Sequence, residues 1–338
     1  MHAEQQDSRD HTLKDVHGRG MNILSEEYKL PADRAEMDRL SIQHRMWRLL
    51  VGGLYPPALK DTIDKVLEDP QSTILDAGCG PAIWSIEMAQ MYPGVHVVGV
   101  DLARNFHERP PSNFEFIQMD LSPGLPPCRN TRGYDLIHAR SLVGHLKDPK
   151  AFIRQAHGAL RTGATYRRSA CATPTHDQRV TPGGIFILGD LGKKIYDRDK
   201  KELPPRFPPG TTGSEPDNAS WFVGWQQIWL GILGPGVQSV DAYLEDSPFS
   251  SVSSRRYFAP IGWKGDLEDG AELGEITLKN SLQWARAAVP AVLASGKYDR
   301  QVIDFWLDAI EAECVSKQMY LAWDLALSVK APESDGIV

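Results

Sequence analysis

The sequence has little to offer in sulfur chemistry: four cysteines in 338 residues, Cys79, Cys128, Cys171 and Cys314, with no C-x-x-C pair among them. That scatter fits neither a disulfide framework nor a zinc site, so no metal is expected and a reducing compartment, the cytoplasm, is the default. Long apolar runs are also missing. Gly, Pro or a charge interrupts every stretch well short of the ~20 residues that span a bilayer, which excludes a membrane role. Cations are in the minority, 37 Lys and Arg against 44 Asp and Glu for a net charge of −7. That balance argues against nucleic acid as a partner, because phosphate contacts need clustered Lys and Arg. Residues 1–20 are rich in His, Asp, Arg and Gln without an apolar block, and read as a disordered, fraying N-terminus rather than a secretory signal.

What is present is ordinary globular composition. With 41% hydrophobic and 24% charged residues, the chain can bury a core, and a length prior of ~150 residues per domain allows two domains or one decorated domain. Asp33 to Leu50 has helix-like apolar spacing, and Ala58 to Leu67 reads as a second amphipathic helix after Pro56-Pro57. From Thr73 the grammar changes. Strands Thr73–Ala77, Val95–Asp101, Phe114–Met119 and Tyr134–Ala139 alternate with helices Pro81–Tyr92 and Pro149–Leu160, which predicts a parallel sheet covered by helices on both faces. A fifth strand, Gly183–Gly189, leads into a polar, proline-rich loop from Lys193 to Asp217. Helices are expected at Asn218–Leu233, Glu275–Leu293 and Tyr298–Val315, and a strand at Arg256–Ile261. Met319 to Lys330 alternates as a strand does, its alanines and leucines leaving a helix open.

The informative segment is Ile74-Leu75-Asp76-Ala77-Gly78-Cys79-Gly80-Pro81: an apolar strand ending in an acid, a glycine-rich turn, and proline at the first position of a helix. Gly78 and Gly80 allow a tight turn and close backbone approach to a ligand. Beyond Gly80, strand Val97–Val100 ends in Asp101, an acid placed to accept from both hydroxyls of a ribose. A dinucleotide fingerprint would carry a third glycine where this chain has Ile83. Asp76 beside the turn suits a ligand with an ammonium group there, which favours S-adenosylmethionine over NAD. Asp120 ends a further strand and is placed for an adenine amino group, with Met119 and Leu121 against the ring.

These motifs resemble the class I S-adenosylmethionine-dependent methyltransferases, and within them the LaeA-like fungal branch. The resemblance rests on Tyr28-Lys29-Leu30-Pro31 with Asp38-Arg39-Leu40 and Gln43-His44, on Ile74–Ala89, on Gly99–Ala103, and on Tyr134–Pro149, and it covers most of Tyr28 to Pro332. It implies an α/β Rossmann-like sheet of seven strands whose last, Met319–Lys330, is antiparallel. It also implies an N-terminal helical lid (residues 21–70), a core (71–192 and 252–332), and an inserted loop and helical cap on the acceptor side (193–251). By the same resemblance Asp76, Gly78, Cys79 and Gly80 hold the methionine end, Asp101 and Leu102 the ribose, and Met119, Asp120 and Leu121 the adenine. Ala139 and Arg140 line the cofactor, and Tyr28 reaches it from the closing segment. The segment 162–181, with Arg167, Arg168 and Arg179, departs from the family. It reads as a retained intron or mis-assigned exon, since removing it restores a short connection, with a genuine surface loop as the alternative.

The implied reaction is methyl transfer to a small-molecule acceptor, a secondary metabolite by family resemblance. The alternative is a regulator of secondary metabolism that acts through partner proteins, in the nucleus rather than the cytoplasm. Methyl transfer needs mainly alignment, so a base is optional; His145 and His44 are the candidates, and each also reads as a structural histidine. His138, inside a strand, reads as core. Trp221, Trp225 and Trp229, at near i, i+4 spacing, with Tyr257 and Trp263, are expected to wall the acceptor as a flat aromatic surface. The same stripe also reads as a helix packing its tryptophans inward.

Overall fold

The computed structural model describes residues 13–104, 106, 109–166, 179–181, 183–208, 216–249 and 251–331. In chain order the elements are β1 (Leu13–Val16), β2 (Arg19–Asn22), α1 (Arg34–Val51), α2 (Lys60–Val66), β3 (Thr73–Ala77), α3 (Ile83–Met91), β4 (His96–Asp101), β5 (Phe114–Gln118) and β6 (Leu136–Arg140). There follow α4 (Pro149–Ala159), β7 (Ala164–Tyr166), β8 (Arg179–Thr181), β9 (Ile185–Asp197), α5 (Trp221–Leu233), α6 (Val240–Leu244) and β10 (Ser251–Ile261). The chain closes with α7 (Ala271–Ala287), α8 (Val289–Ala294), α9 (Arg300–Ser316) and β11 (Met319–Val329).

Seven strands form one sheet in the order β10-β11-β9-β6-β3-β4-β5. Five run parallel, β11 is antiparallel to β9, and β10 is antiparallel to β11. Strand order reverses at β3, which pairs with β4 on one side and β6 on the other. In an open α/β sheet the crevice at the carboxyl ends beside such a switch point is where ligands bind. Because side chains alternate across a strand, Ile74, Val97, Leu136 and Ile185 enter one core and Leu75, Val98, Ile137 and Phe186 the other. The first core also takes Trp47, Trp84, Trp225 and Trp306, whereas α4 and α6 supply much of the second through Phe152, Ile153, Tyr243 and Leu244.

Several boundaries differ from the sequence reading, each for a local reason. Residues 1–12 lie outside the described residues, but Leu13 to Asn22, partly inside the segment expected to fray, form a hairpin. His17 and Gly18 both take positive φ, 52° and 80°, the pattern of a two-residue hairpin turn. The hairpin is tied to α1 through Asp33, which caps the helix by accepting from the Glu36 N–H at 3.0 Å and receives Arg19 Nε and Nη2 at 2.7 and 2.9 Å. Such a cap contributes about 1 kcal/mol. Pro81 does not open α3; the chain stays left-handed at Gly78, Gly80 and Ala82 and the helix begins at Ile83. β9 runs on to Asp197, so Lys193 to Asp197 are strand rather than loop, with Ile195 and Tyr196 buried opposite Leu321 and Tyr320. The helix expected over Glu275–Leu293 is two, divided at Ala288 just before Pro290, which has no N–H to continue the ladder.

β7 and β8 pair antiparallel inside the anomalous segment. The chain leaves the sheet at Arg161 and returns at Gly184, whose N–H donates to the Arg161 carbonyl at 2.8 Å. Arg167, Arg168 and the Arg179 side chain lie outside the described residues.

Candidate functional site

At the carboxyl ends of β3 and β4 the backbone builds a cradle. The N–H groups of Gly78 and Cys79 both donate to the Val100 carbonyl at 2.9 Å, and the Gly80 N–H donates to Asp101 Oδ2 at 2.8 Å. Gly78, at φ +71°, could not carry a side chain without strain, and a Cβ there would lie 3.0 Å from Leu142 Cδ1. The cradle floors a cavity that Asp76, Gly78, Cys79, Gly80, Asp101 and Leu102 line from below, with Met119, Asp120 and Leu121 at one end. Tyr28, His44, Arg140 and His145 line the other side. Ala139 is not among the lining residues: it points into the second core, and only its neighbour Arg140 reaches the cavity.

Burial pushes the Asp101 carboxyl up to about 6, against the pull of the Gly80, Ala103 and Leu102 N–H groups. Asp120 Oδ1 accepts from the Ser122 N–H at 2.8 Å. Asp76 is more committed. Its Oδ2 accepts from Ser85 Oγ at 2.5 Å and its Oδ1 lies 2.8 Å from His138 Nδ1, with the His138 ring stacked on Trp84 at 3.9 Å. Burial lowers the His138 pKa, so the ring is neutral and its Nδ1–H is the donor. His138 is therefore part of the cavity wall as well as core, a role missed in the sequence although it aligns with Asp76 in the β3–β6 register.

The two histidines named as bases have different surroundings. His44 Nδ1 accepts from Arg140 Nη2 at 3.2 Å, and its Nε2 lies 3.2 Å from Glu87 Oε2, so both ring nitrogens are engaged. His145 Nδ1 is buried without a partner among the described residues. Burial, with a contribution from the Arg39 charge, pushes its pKa down to about 4. Its ring stands 4.9 Å from Tyr28 and 6.1 Å from Trp229. Burial raises the Tyr28 phenol, which stays protonated.

Behind His145 lies a second cavity. Tyr28, Leu40, Gln43, Ser141 and His145 line both, forming a shared wall. Ser141 holds a left-handed backbone, φ 53°, and its buried hydroxyl has no partner among the described residues; strain of this kind, about 1–3 kcal/mol, collects at ligand sites. The far wall of the second cavity comes from Asp190, Gln226, Trp229, Trp284, Ser281 and Trp323. Of the expected aromatic wall only Trp229 is present. Trp225 is wholly buried against Trp306 at 5.4 Å, Trp221 packs on Phe305 at 5.7 Å, and Tyr257 lies opposite Trp323 on the edge strand β10. Trp263 donates to the Met319 carbonyl at 2.9 Å, away from both cavities. The reason is helical geometry: each step of four residues turns the face by about 40°, so Trp221 and Trp229 point in directions about 80° apart. Trp284, Trp323 and Asp190 were missed because no local motif marks them.

Comparison with known proteins agrees with this geometry. Residues 53–202 match the family described as a methyltransferase domain. The chain is 30% identical over 293 residues to the secondary metabolism regulator laeA of Coprinopsis cinerea, a match covering 83% of this chain and 64% of that protein. It is 33% identical over 242 residues to the methyltransferase pytC of Aspergillus terreus, covering 71% and 63%. It thus spans less than two thirds of the length of either relative. Among solved structures, phosphoethanolamine N-methyltransferase 2 of Haemonchus contortus with S-adenosyl-L-methionine covers 88% of this chain and 59% of its own at 13% identity, with a TM-score of 0.42. The fold is that of a class I, Rossmann-like methyltransferase, and S-adenosylmethionine is the cofactor of this domain. Within that class the chain is similar to the LaeA-like proteins. The cradle fits such a ligand: a turn left-handed at Gly78 and Gly80, an acid at or just beyond each of three successive strand ends, and apolar Met119 and Leu121 beside the last.

Proposed function

We propose that this chain transfers a methyl group from S-adenosylmethionine to a small molecule, a secondary metabolite, held in the second cavity. The observation that carries the reading is the shared wall: one cavity with cofactor chemistry abuts another with aromatic walls, and Tyr28 and His145 belong to both. When bound, the cofactor supplies an activated methyl on a sulfonium, so the protein's task is mainly to align the acceptor and exclude water. In this reading Asp101 holds the ribose, Asp120 the adenine, and Asp76 acts through His138 and Ser85 to fix the methionine end of the cradle. His44, with both nitrogens engaged, is a positioning residue for Arg140 rather than a base. No helix among the described residues is long and apolar enough to cross a membrane, and no His, Cys, Asp and Glu group among them could hold a metal. The reading places the protein in the cytoplasm.

Calorimetry with S-adenosylmethionine, followed by a search for products 14 mass units heavier in metabolite fractions, tests it. Absence of cofactor binding overturns the proposal. The relative named as a regulator favours a second reading, action through a partner protein. That reading predicts cofactor binding with no metabolite gaining mass.

A further inference from the structure

The second cavity carries an unusual set of buried polar groups. Gln226 and Ser281 are each 1% exposed, yet Gln226 Oε1 and Ser281 Oγ have no partner among the described residues. Buried polar atoms are nearly always paired, so each such group calls for an explanation. The Gln226 amide is oriented, because its Nε2–H donates to the Gly192 carbonyl at 3.2 Å and leaves Oε1 as the open acceptor. Asp190 bounds the same cavity. Its Oδ1 accepts from the Leu191 N–H at 2.7 Å and the Gly144 N–H also steadies the carboxylate, while no Lys, Arg or His among the described residues is ion-paired with it.

The sheet is irregular at this point. Register runs from Ile195 opposite Leu321 to Leu191 opposite Trp323, so Gly192, Lys193 and Lys194 face Ala322 alone. A bulge of this kind re-aims side chains, and bulges are common beside active sites. The walls around these groups are Trp229, Trp284 and Phe222, with Trp284 edge-on to both of the others, an aromatic enclosure with an acceptor facing it from each of two elements.

We propose that the second cavity takes a flat aromatic acceptor bearing an O–H or N–H group, whose proton passes to the Asp190 carboxylate while Gln226 Oε1 accepts a second donor of the same molecule. The inference rests on the methyl-transfer reading above. In the step, the acceptor's oxygen or nitrogen forms its bond to the methyl carbon and the carbon–sulfur bond breaks with its electron pair going to sulfur. The proton lost by the acceptor goes to Asp190. Burial raises Asp190 to about 6, in the range useful for a base near neutral pH. The charged and titratable groups around it are Lys193 on β9, Asp324 on β11, Tyr243 on α6, Tyr28 before α1, His145 beyond β6, and Arg39 on α1, which is paired with Glu36.

Binding of three probes separates this from simple apolar enclosure: 2-naphthol, its methyl ether 2-methoxynaphthalene, and 2-naphthoate. Calorimetry is run on the full chain, free and loaded with S-adenosylhomocysteine. The expected result is 2-naphthol bound about tenfold tighter than either other probe, with Asp190→Asn erasing most of that preference; 2,7-dihydroxynaphthalene, which adds a second donor, binds tighter still, a gain that Gln226→Leu removes, while S-adenosylhomocysteine affinity is unchanged. Equal binding of the three probes, preference for 2-naphthoate, or no binding of 2-naphthol to the wild-type chain overturns the inference without reference to any variant. Failure of S-adenosylhomocysteine to bind overturns the methyl-transfer reading instead, and is scored separately.

Discussion

The two cavities are built in opposite ways. The cofactor cavity takes Asp76, Asp101, Asp120 and Arg140 from at or just beyond the carboxyl ends of adjacent parallel strands, so its residues fall in regular order along the chain. The second is gathered from α1, the turn after β6, β9, α5, α7 and β11, elements separated by most of the sequence. Chemistry delivered by strand ends is fixed by topology, because a parallel sheet with a switch point always opens there. Chemistry delivered by packed helices depends on which face each one turns inward. The first region therefore specifies a cofactor class, and the second is free to vary with the acceptor.

The sharpest way to break this contrast is at α5. Trp225→Ala should cost about 3–5 kcal/mol of stability through the cavity left against Trp306, with no change in probe binding by the folded fraction. Trp229→Ala should instead weaken 2-naphthol binding. Chemical denaturation and calorimetry on both variants decide between them; if Trp225→Ala selectively weakened the probe, the division between core and wall tryptophans would be wrong.

Next in size is Asp101→Ala. Losing two charge-assisted hydrogen bonds to a ribose should lower cofactor affinity about 100-fold or more and leave 2-naphthol binding to the free chain unaltered. Parallel loss of both would mean that the cavities are one site.

A smaller effect is pH dependence. In the proposed pose only an ionised Asp101 can accept from both ribose hydroxyls, so with burial raising its pKa to about 6 cofactor affinity should be full above that value and fall about tenfold per pH unit below it. Stability of the free chain moves the other way. A carboxyl raised in the folded state stabilises it at low pH, and that contribution is lost as pH rises through 6. Asp101→Asn should therefore flatten the affinity profile and stabilise the free chain above pH 6. Titration calorimetry and thermal unfolding across pH 5–8 check both signs.

The smallest expected effect lies at the inserted segment. Because Arg161 and Gly184 are hydrogen-bonded, deleting residues 164–181 should change stability by no more than about 1 kcal/mol, the order of a loop-length change, and leave cofactor affinity intact. Loss of folding on deletion would make the segment part of the domain.

The same contrast explains what was legible beforehand. Asp76, Gly78, Gly80, Asp101 and Asp120 could be read because a strand-turn-helix unit writes them next to apolar runs with period two. Trp221 and Trp225 misled because spacing by four looks like a stripe, whereas the helix turns it out of line. Asp190 sits inside a strand whose continuation past Gly189 was hidden by two adjacent lysines and a glycine, the residues of the bulge itself. Trp284 and Ser281 share the cavity only because α7 packs beside α1, a tertiary fact with no local signal. The His17-Gly18 hairpin lacked flanking strands long enough to be recognised.

The most direct test of the central claim, that one wall separates cofactor from acceptor, is a crystal structure of the chain with S-adenosylhomocysteine. The account predicts the ribose on Asp101, the adenine beside Met119 and Asp120, and the sulfur facing the wall of Tyr28, Ser141 and His145. A ligand bound elsewhere, or one whose sulfur turns away from that wall, would contradict it.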